Sequence, residues 1–468
     1  MSALVFEGFL STPEMLGVFD ARAFVQAMLD VEAALARAQA DEGVIPAAAS
    51  DAIAAACDAG RFDVDALIAE SRPSGSLAIP LVKALTQSVE SIDAAAAGCV
   101  HWGSTSQDVI DTAMILTVRR ACALIDRDLR GLVASLLELA GRHGDAPVLA
   151  RTLMQPAQVV SLGFKMLAWI APLVRSRDRL IAAMHAAFQL QLGGAVGNLS
   201  AMGDKGRDVA RRMAGALDLR LPEGAWHTQR DELAVLACEL GVLTGSLGKI
   251  ARDIALMSQA EVGELAEPSG GGRGGSSAMP HKRNPVAAMV ALAGALRTPQ
   301  RVAALLSAMA QEQERGLGNW QAELAETAGL YLSAHGALKA LADVAGALHV
   351  DRERMQRNID AQHGLVFAEA VSMRLAQHAG KAAAHALVER LSQEAVKSGR
   401  HLRELTMEAL AADPAWRAQV GAGEVAGLFD SAAAAHYAVS IAAPQLAGLA
   451  QRSQAWREAV ISKVQVPR

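Results

Sequence analysis

The sequence predicts an all-α protein, and three observations support this fold class. Hydrophobic residues make up 52% of the 468-residue chain and aromatic residues only 4%, and much of the apolar excess is alanine, the strongest helix former. Three proline-free stretches, 81–146, 223–267 and 300–413, can hold long helices, because interior proline breaks a helix. The alternation of β-branched and aromatic residues that predicts strands never extends beyond a few residues.

Two of these stretches carry heptad-like repeats. Apolar residues step by four or three through 114–139, and by three and four through 233–257. This pattern predicts long bundle helices, the second covering about 231–262 and spanning on the order of 45–50 Å. Helices that are apolar on more than one side usually bury the extra face against other subunits. We therefore expect an oligomer built on helix bundles.

Composition excludes several classes of function. A net charge of −5 argues against the basic surface of a nucleic-acid-binding protein. No apolar run approaches the roughly 18–20 residues of a membrane span, and the N-terminus lacks the basic segment of a secretory signal. The cysteines lack metal or disulfide spacing, which indicates a reducing compartment. We expect a cytoplasmic protein with neither nucleic-acid nor membrane partners.

The most conspicuous interruption of the helical pattern is EPSGGGRGGSSAMPHKRNP at 267–285. Its glycines formally match a dinucleotide fingerprint, but a heptad helix rather than a strand precedes it. A Walker loop would need lysine where Ser276 stands. A flexible linker is the alternative, whereas the dense Ser, His, Lys, Arg and Asn run favours a mobile lid that brings polar groups to a site.

Three further polar segments interrupt the helices: HWGSTSQDVID at 101–111, WHTQRD at 226–231 and EQERGLGNWQAE at 312–323. The first two open the predicted heptad helices, where N-capping is the alternative to function. The same geometry lets backbone N–H groups and the hydroxyls of Thr105 and Ser106 bind an anion. The third segment places Arg315 within an apolar helix, where a solvated face is the alternative.

These segments together resemble a known family. GSSAMPHKRNP resembles the GSSxMPxKxNP motif of the fumarase/aspartase superfamily, and HWGSTSQD and ARTLMQPAQVVSLG (150–163) are similar to its first and second signature segments. The segments follow the family's order and spacing over essentially the whole chain. Within the superfamily, IPLVKAL, TSQDVIDT, WHTQRD and LGKIARDI are most similar to the bacterial 3-carboxy-cis,cis-muconate cycloisomerase family.

The resemblance implies three helical domains, for which we expect the bounds 1–110, 111–360 and 361–468. It also implies a five-helix central bundle that forms the twenty-helix core of a homotetramer, with active sites shared by three subunits. The implied reaction lactonises 3-carboxy-cis,cis-muconate to 4-carboxymuconolactone, in protocatechuate catabolism by the β-ketoadipate pathway, through an aci-carboxylate intermediate. No metal-ligand spacing or nucleotide fingerprint is present in the sequence, so we expect no metal and no cofactor.

By the resemblance, Ser276 moves the proton on carbon and Lys282 tunes it, with the adjacent Ser277 as the alternative proton carrier. An aci-carboxylate needs preorganised cations and hydrogen-bond donors, and a polycarboxylate substrate needs a locally positive pocket in an acidic chain. The expected substrate-binding residues are Thr105, Ser106, Asn284, Arg315, Arg230, His101, Gln155, Ser277, Met279 and Lys83.

Two alternatives stay open. Adenylosuccinate lyase shares the HKRNP ending, but it usually has an Arg-Tyr pair that binds the nucleotide phosphate. The corresponding residues 8–15 contain no such pair, and the first arginine of the sequence is Arg22. A catalytically silent helical oligomer predicts decay of the loop motif, which is intact. The superfamily's histidine after Arg-Thr in the second signature is Leu153 here. A lactonising enzyme tolerates this change, because a carboxylate with a pKa near about 4 departs as an anion without protonation.

Overall fold

The structure, a computed structural model, describes residues 5–461 except 271, 273, 276, 277, 280 and 420, and it confirms the all-α class. The α-helices of the described chain are α1 (Glu7–Leu10), α2 (Pro13–Val18), α3 (Ala21–Asp41), α4 (Ala47–Ala56), α5 (Val64–Ser74), α6 (Ala78–Glu90), α7 (Ser106–His143), α8 (Leu162–Ala187), α9 (Gly206–Ala216), α10 (Asp231–Met257), α11 (Val286–Ser307), α12 (Asn319–Ala345), α13 (Arg352–Asp360), α14 (Ala368–Ala379), α15 (Lys381–Ser398), α16 (Leu402–Ala412), α17 (Pro414–Gln419), α18 (Ala422–Ala426) and α19 (Ser431–Ile461).

The two predicted heptad helices are confirmed. Helix α7 is 38 residues long and α10 is 27, and their apolar seams are buried from Ile125 to Leu139 and from Leu240 to Met257. Helix α10 ends before the predicted position near 262. It does so because the chain turns back there, with the N–H of Glu264 donating to the carbonyl oxygen of Met257 (2.9 Å).

Proline and strand patterns predicted the fold less well. Pro73, Pro172, Pro299 and Pro444 lie inside helices, because tertiary packing overrides local propensity. The expectation of no strands was wrong for one hairpin, in which β1 (Pro147–Thr152) pairs antiparallel with β2 (Gln155–Ser161). A two-residue bridge also pairs β3 (Leu265–Ala266) with β4 (His349–Val350).

The hairpin was missed because its turn lacks the usual residues. Leu153 and Met154 occupy the two turn positions with φ of 51° and 68°. A tight turn with positive φ at both positions strongly prefers Asn-Gly. Bulky residues there give no sequence signal for a turn.

The chain folds into two compact units, each assembled from three chain segments. The first unit contains Met1–Leu129, Arg175–Gly248 and Val290–Lys339. The second contains Arg130–Val174, Lys249–Met289 and Ala340–Arg468. The division into regions 1–110, 111–360 and 361–468 stays a prediction.

Within the described residues, α10 is the single unbroken helix that is long and apolar enough to cross a membrane. The bent pair Gly423–Phe429 and Ser431–Trp456 passes the same test when taken together. The sequence expectation that no segment reaches this length was therefore too strict. The heptad seam of α10 explains its apolar character, since core helices of bundles have the same composition.

Candidate active site

Three of the four polar segments come together in the first unit. They are 101–111, 226–231 and 312–323, and we call them the polar cluster. The side-chain amide of Gln107 donates to the carbonyl oxygen of His227 (2.9 Å), and the hydroxyl of Thr228 donates to that of Gln313 (3.2 Å). The indole of Trp320 donates to the carboxylate of Asp111 (2.9 Å). Each segment thus bonds to at least one of the others.

Asp108 organises the beginning of α7. Its buried carboxylate accepts the backbone N–H groups of Thr105 (3.0 Å), Gly193 (3.0 Å) and Gly194 (2.9 Å). Its Oδ1 also lies 2.7 Å from Nε2 of the buried His227. The bond from Thr105 is one half of a capping box, in which an acidic residue in the first helical turn accepts the backbone N–H of the residue before the helix. Asp108 therefore takes part in capping α7, the role that the sequence analysis weighed against function.

Arg230 is buried between two carboxylates. Its guanidinium donates to both oxygens of Asp111 (2.9 and 3.1 Å) and to Glu323 (3.0 Å), and it stacks over the ring of Trp226. Burial lowers the pKa of Arg230, but the charges of Asp111 and Glu323 outweigh burial and raise it above its ordinary value. These internal contacts give Arg230 an organising role within the cluster, and its assignment to substrate binding stays a prediction.

Arg315 lies in the loop between α11 and α12, whereas the sequence analysis placed it within a helix. Its Nη1 donates to the hydroxyl of Thr105 (2.6 Å) and its Nη2 to that of Ser106 (3.4 Å). The side-chain amide of Asn319 secures the loop by donating to the carbonyl oxygen of Ala310 (3.1 Å). One guanidinium and two hydroxyls therefore meet at the positive end of the α7 dipole, an arrangement suited to a carboxylate.

His101 is the second basic group of the cluster that reaches the surface. Its Nδ1 lies 2.6 Å from Oε1 of Glu32, a buried carboxylate on α3. Burial lowers the pKa of His101, but the charge and hydrogen bond of Glu32 outweigh burial, and the pKa lies above its ordinary value. Glu32 was missed by the sequence analysis, because a single carboxylate inside an alanine-rich helix carries no motif.

Lys83 lies apart from these contacts. It sits on the exposed side of α6 in the first unit. Its assignment to substrate binding stays a prediction.

The fourth polar segment, the glycine-rich loop 267–285, belongs to the second unit. The carboxylate of Glu267 accepts the N–H groups of Ala287 (2.9 Å) and Ala288 (2.9 Å), in the first turn of α11. The N–H of Asn284 donates to the carbonyl oxygen of Gly274 (2.9 Å). Glu267 thereby ties the start of the loop to α11, and the bond between Asn284 and Gly274 closes the loop on itself.

Some of the loop's predicted site residues are described by the structure and others are not. Ser276 and Ser277 lie outside the described residues. Lys282 and Met279 are exposed, and Asn284 is half-buried. Their assignment to catalysis and substrate binding stays a prediction.

The second signature segment forms the β1–β2 hairpin in the same unit. Gln155 is exposed at the start of β2, and Leu153 is 96% exposed at the turn. Close to the turn, Arg151 donates two hydrogen bonds to the buried Glu264 (2.7 and 3.0 Å). The side-chain amide of Asn358 donates to the same carboxylate (2.8 Å). These contacts anchor β1 just before the turn at Leu153.

Metal ligands were not expected from the sequence. Among the residues that the structure describes, no group of three or more His, Cys, Asp and Glu side chains could hold a metal ion. The expectation of a cofactor-free site stays a prediction.

Two models of known protein families match this chain. A family model described as lyase matches residues 9–299, and one described as adenylosuccinate lyase C-terminus matches 364–443. The chain therefore belongs to the lyase family of the fumarase/aspartase superfamily.

Three individual relatives are similar over most of their length. The chain is 49% identical to the 3-carboxy-cis,cis-muconate cycloisomerase of Bradyrhizobium diazoefficiens, over 90% of this chain and 92% of that protein. It is 46% identical to the enzyme of the same name from Pseudomonas aeruginosa, over 86% and 88%. The crystal structure of 3-carboxy-cis,cis-muconate lactonizing enzyme from Pseudomonas putida matches with a TM-score of 0.90 and 42% identity, covering 96% and 99%.

Proposed function

We propose that this chain is a 3-carboxy-cis,cis-muconate cycloisomerase that forms 4-carboxymuconolactone in protocatechuate catabolism. The observation that carries the proposal is 46–49% identity to two enzymes of that name over at least 86% of this chain. We also propose a cytoplasmic location. The four cysteines support it, since none is in a disulfide and disulfides are rare in reducing compartments.

The polar cluster supports a polycarboxylate as substrate. Arg315, Thr105 and Ser106 present one positive charge and two hydroxyls at the N-terminus of a long helix. Hydrogen bonds from an ionised donor to a carboxylate are roughly twice as strong as those between neutral groups. His101 supplies a second basic group. Local positive charge of this kind offsets the net charge of −5 that would otherwise repel the substrate.

The reaction moves few atoms. A substrate carboxylate oxygen bonds to an alkene carbon, and the π electrons form a carbanion that the neighbouring carboxylate stabilises as an aci-carboxylate. One proton then adds to that carbon, so substrate and product are isomers. Ring formation is intramolecular, and the protein's main task is to position the groups. We assign the proton transfer to Ser276, supported by Lys282.

An ultraviolet assay tests this proposal. Purified protein should deplete 3-carboxymuconate absorbance, and it should leave adenylosuccinate and argininosuccinate unchanged. Activity should survive exhaustive dialysis against EDTA. Turnover of adenylosuccinate in place of 3-carboxymuconate would contradict the proposal, and activity that returns only with a divalent cation would contradict the metal-free mechanism.

We further propose a homotetramer whose active sites are shared by three subunits. Half-exposed Val235 and Val242 on α10, together with exposed Leu296 on α11, supply unpartnered apolar surface of the kind that oligomers bury. Ser276→Ala and Thr105→Ala/Ser106→Ala proteins, each inactive alone, should then regain activity when mixed and reassembled. A verified hetero-tetramer without activity would show that each site belongs to one chain.

Adenylosuccinate lyase is the second candidate, and the match of 364–443 to its C-terminal family model favours it. Against it, residues 8–15 contain no cation that could bind a nucleotide phosphate. A lost charged hydrogen bond costs about 1.5–3 kcal/mol. The same ultraviolet assay separates the two candidates.

A further inference from the structure

We propose that Glu32 is a positioning residue that holds His101 as a cation, with Nε2 left to bind a substrate carboxylate. The inference rests on the proposed function, because that function supplies the carboxylate. Glu32 acts through His101 rather than by touching substrate.

The burial of Glu32 is the first observation. The residue is 1% exposed on α3, among the apolar side chains of the first unit's core. Its Oε1 lies 2.6 Å from Nδ1 of His101, and its Oε2 has no hydrogen-bond partner among the described residues. A buried carboxylate is costly unless it is paired. His101 is the partner that offsets this cost, and the pairing holds the imidazole in one orientation.

The backbone beside His101 is the second observation. His101 has a φ of 58°, a left-handed conformation that costs a non-glycine residue about 1–2 kcal/mol. One heptad beyond Glu32, the side-chain amide of Gln39 donates to the carbonyl oxygen of Trp102 (2.6 Å). Helix α3 therefore holds the strained segment at two points, the imidazole through Glu32 and the main chain through Gln39. A strained backbone conformation of this kind persists only where surrounding contacts hold it in place, and such positions are often functional sites.

Charges around the imidazole are the third observation. The charged groups that act on His101 are Glu32 from α3 and Asp108 from α7. Asp108 already faces three backbone N–H groups and His227, whereas the only described partner of Glu32 is His101. The pKa of His101 is raised, despite burial, chiefly by Glu32. Glu32 is therefore the charge that most favours the protonated form of His101.

Glu32→Gln tests this role, because glutamine keeps the shape and an acceptor oxygen but removes the charge. Histidine carrying a ¹³C label at Cε1 reports the titration by NMR, with the His101 signal assigned from its loss in His101→Gln. We expect the pKa of His101 to fall by about one unit or more in Glu32→Gln, the scale of one lost charge contact. The pH at which KM for 3-carboxymuconate begins to rise should fall by the same amount, with kcat less affected.

Two further variants make the test specific. Glu32→Asp keeps the charge and should keep more of the raised pKa than Glu32→Gln. Gln39→Met removes the hydrogen bond to Trp102 but no charge, so the His101 titration should not move. A wild-type titration in the Glu32→Gln protein would overturn the inference, as would equal shifts in Gln39→Met. Failure of the wild-type protein to turn over 3-carboxymuconate would instead contradict the proposed function, and the NMR titration would still test Glu32.

Discussion

The polar cluster and the glycine-rich loop carry most of the predicted site residues, and they are built differently. In the polar cluster, the central charged groups are buried and paired, as Arg230 is with Asp111 and Glu323. Even the more accessible Arg315 is held by two hydroxyls. The cluster is therefore preorganised, and folding itself orients its donors.

The glycine-rich loop shows the opposite design. Its described hydrogen bonds join the loop to itself or to the first turn of α11: Glu267 accepts from that turn, the N–H of Asn284 donates to Gly274, and the N–H of Lys282 donates to the carbonyl oxygen of Met279 (3.0 Å). Lys282 and Met279 between them are exposed. This contrast predicts different effects of substitutions in the two regions. Substitutions in the polar cluster should lower the stability of the protein, and substitutions in the loop should lower its activity but leave the fold intact.

The largest effect is a loss of stability, expected when Arg230 is replaced. Arg230→Met leaves the carboxylates of Asp111 and Glu323 buried without their cation. Removing one partner of a buried ion pair destabilises a protein by about 3–5 kcal/mol. The free energy of unfolding from urea titration should fall by this amount.

Arg400→Met is the matched control, because Arg400 pairs with the exposed Glu408 on the surface of the second unit. Exposed pairs contribute little to stability, so this variant should unfold almost as the wild type does. Equal losses in the two variants would contradict the contrast between the regions.

The next largest effect is a loss of activity, expected for a substitution in the glycine-rich loop. Ser276→Ala should lower kcat for lactonisation by roughly a hundredfold or more, the scale of a lost proton transfer. The free energy of unfolding should stay unchanged. Ser277→Ala is the matched control and should cost much less activity. Near-normal turnover by Ser276→Ala would reject it as the proton carrier, and a larger loss in Ser277→Ala would transfer that role to its neighbour.

Sequence reasoning succeeded where a pattern is periodic or contiguous. The apolar seams of α7 and α10 predicted both helices, because a heptad repeat can be recognised within one continuous segment of sequence. The polar segments were also visible, since each interrupts such a repeat. Three of them meet through contacts such as Gln107 with His227, and only the family resemblance could relate segments so far apart in the chain.

The parts that the sequence did not reveal depend on contacts distant in sequence. No pattern paired Arg230 with Asp111 and Glu323, which come from two other segments and enclose its guanidinium. Glu32 lies 69 residues from His101 and belongs to no motif. Pairings of this kind are set by helix packing, which single-segment patterns do not encode.

A smaller effect is expected at the base of the loop. Gly274 has a φ of 72°, and a Cβ atom there would lie 2.8 Å from the carbonyl oxygen of Asn284. Gly274→Ala should destabilise this closure by about 1–3 kcal/mol, the cost of a strained backbone position. Hydrogen exchange of the Asn284 amide, which donates to Gly274, should accelerate.

Gly275→Ala is the neighbouring control, since a Cβ atom there meets nothing within 4 Å and φ is not left-handed. Its Asn284 amide should exchange at the wild-type rate. Equal acceleration in both variants would mean that the closure does not depend on Gly274.

The smallest effect is expected at Leu153, where the superfamily usually has histidine. The residue is exposed at the hairpin turn with a φ of 51°, and histidine tolerates that conformation better than leucine. Leu153→His should therefore leave the fold intact, and urea unfolding would verify this. Any change in turnover would then report chemistry rather than damage.

Leu153→His should leave lactonisation no better. General acid catalysis accelerates reactions that expel a basic leaving group by roughly 10²–10⁴-fold. In the proposed reaction the group that adds is a carboxylate, which needs no proton at its pKa near about 4. Met154→His places the same imidazole at the adjacent turn position and controls for its mere presence. If Leu153→His alone raised lactonisation or created strong adenylosuccinate cleavage, a missing acid would have limited this chain, and the proposed substrate would be wrong.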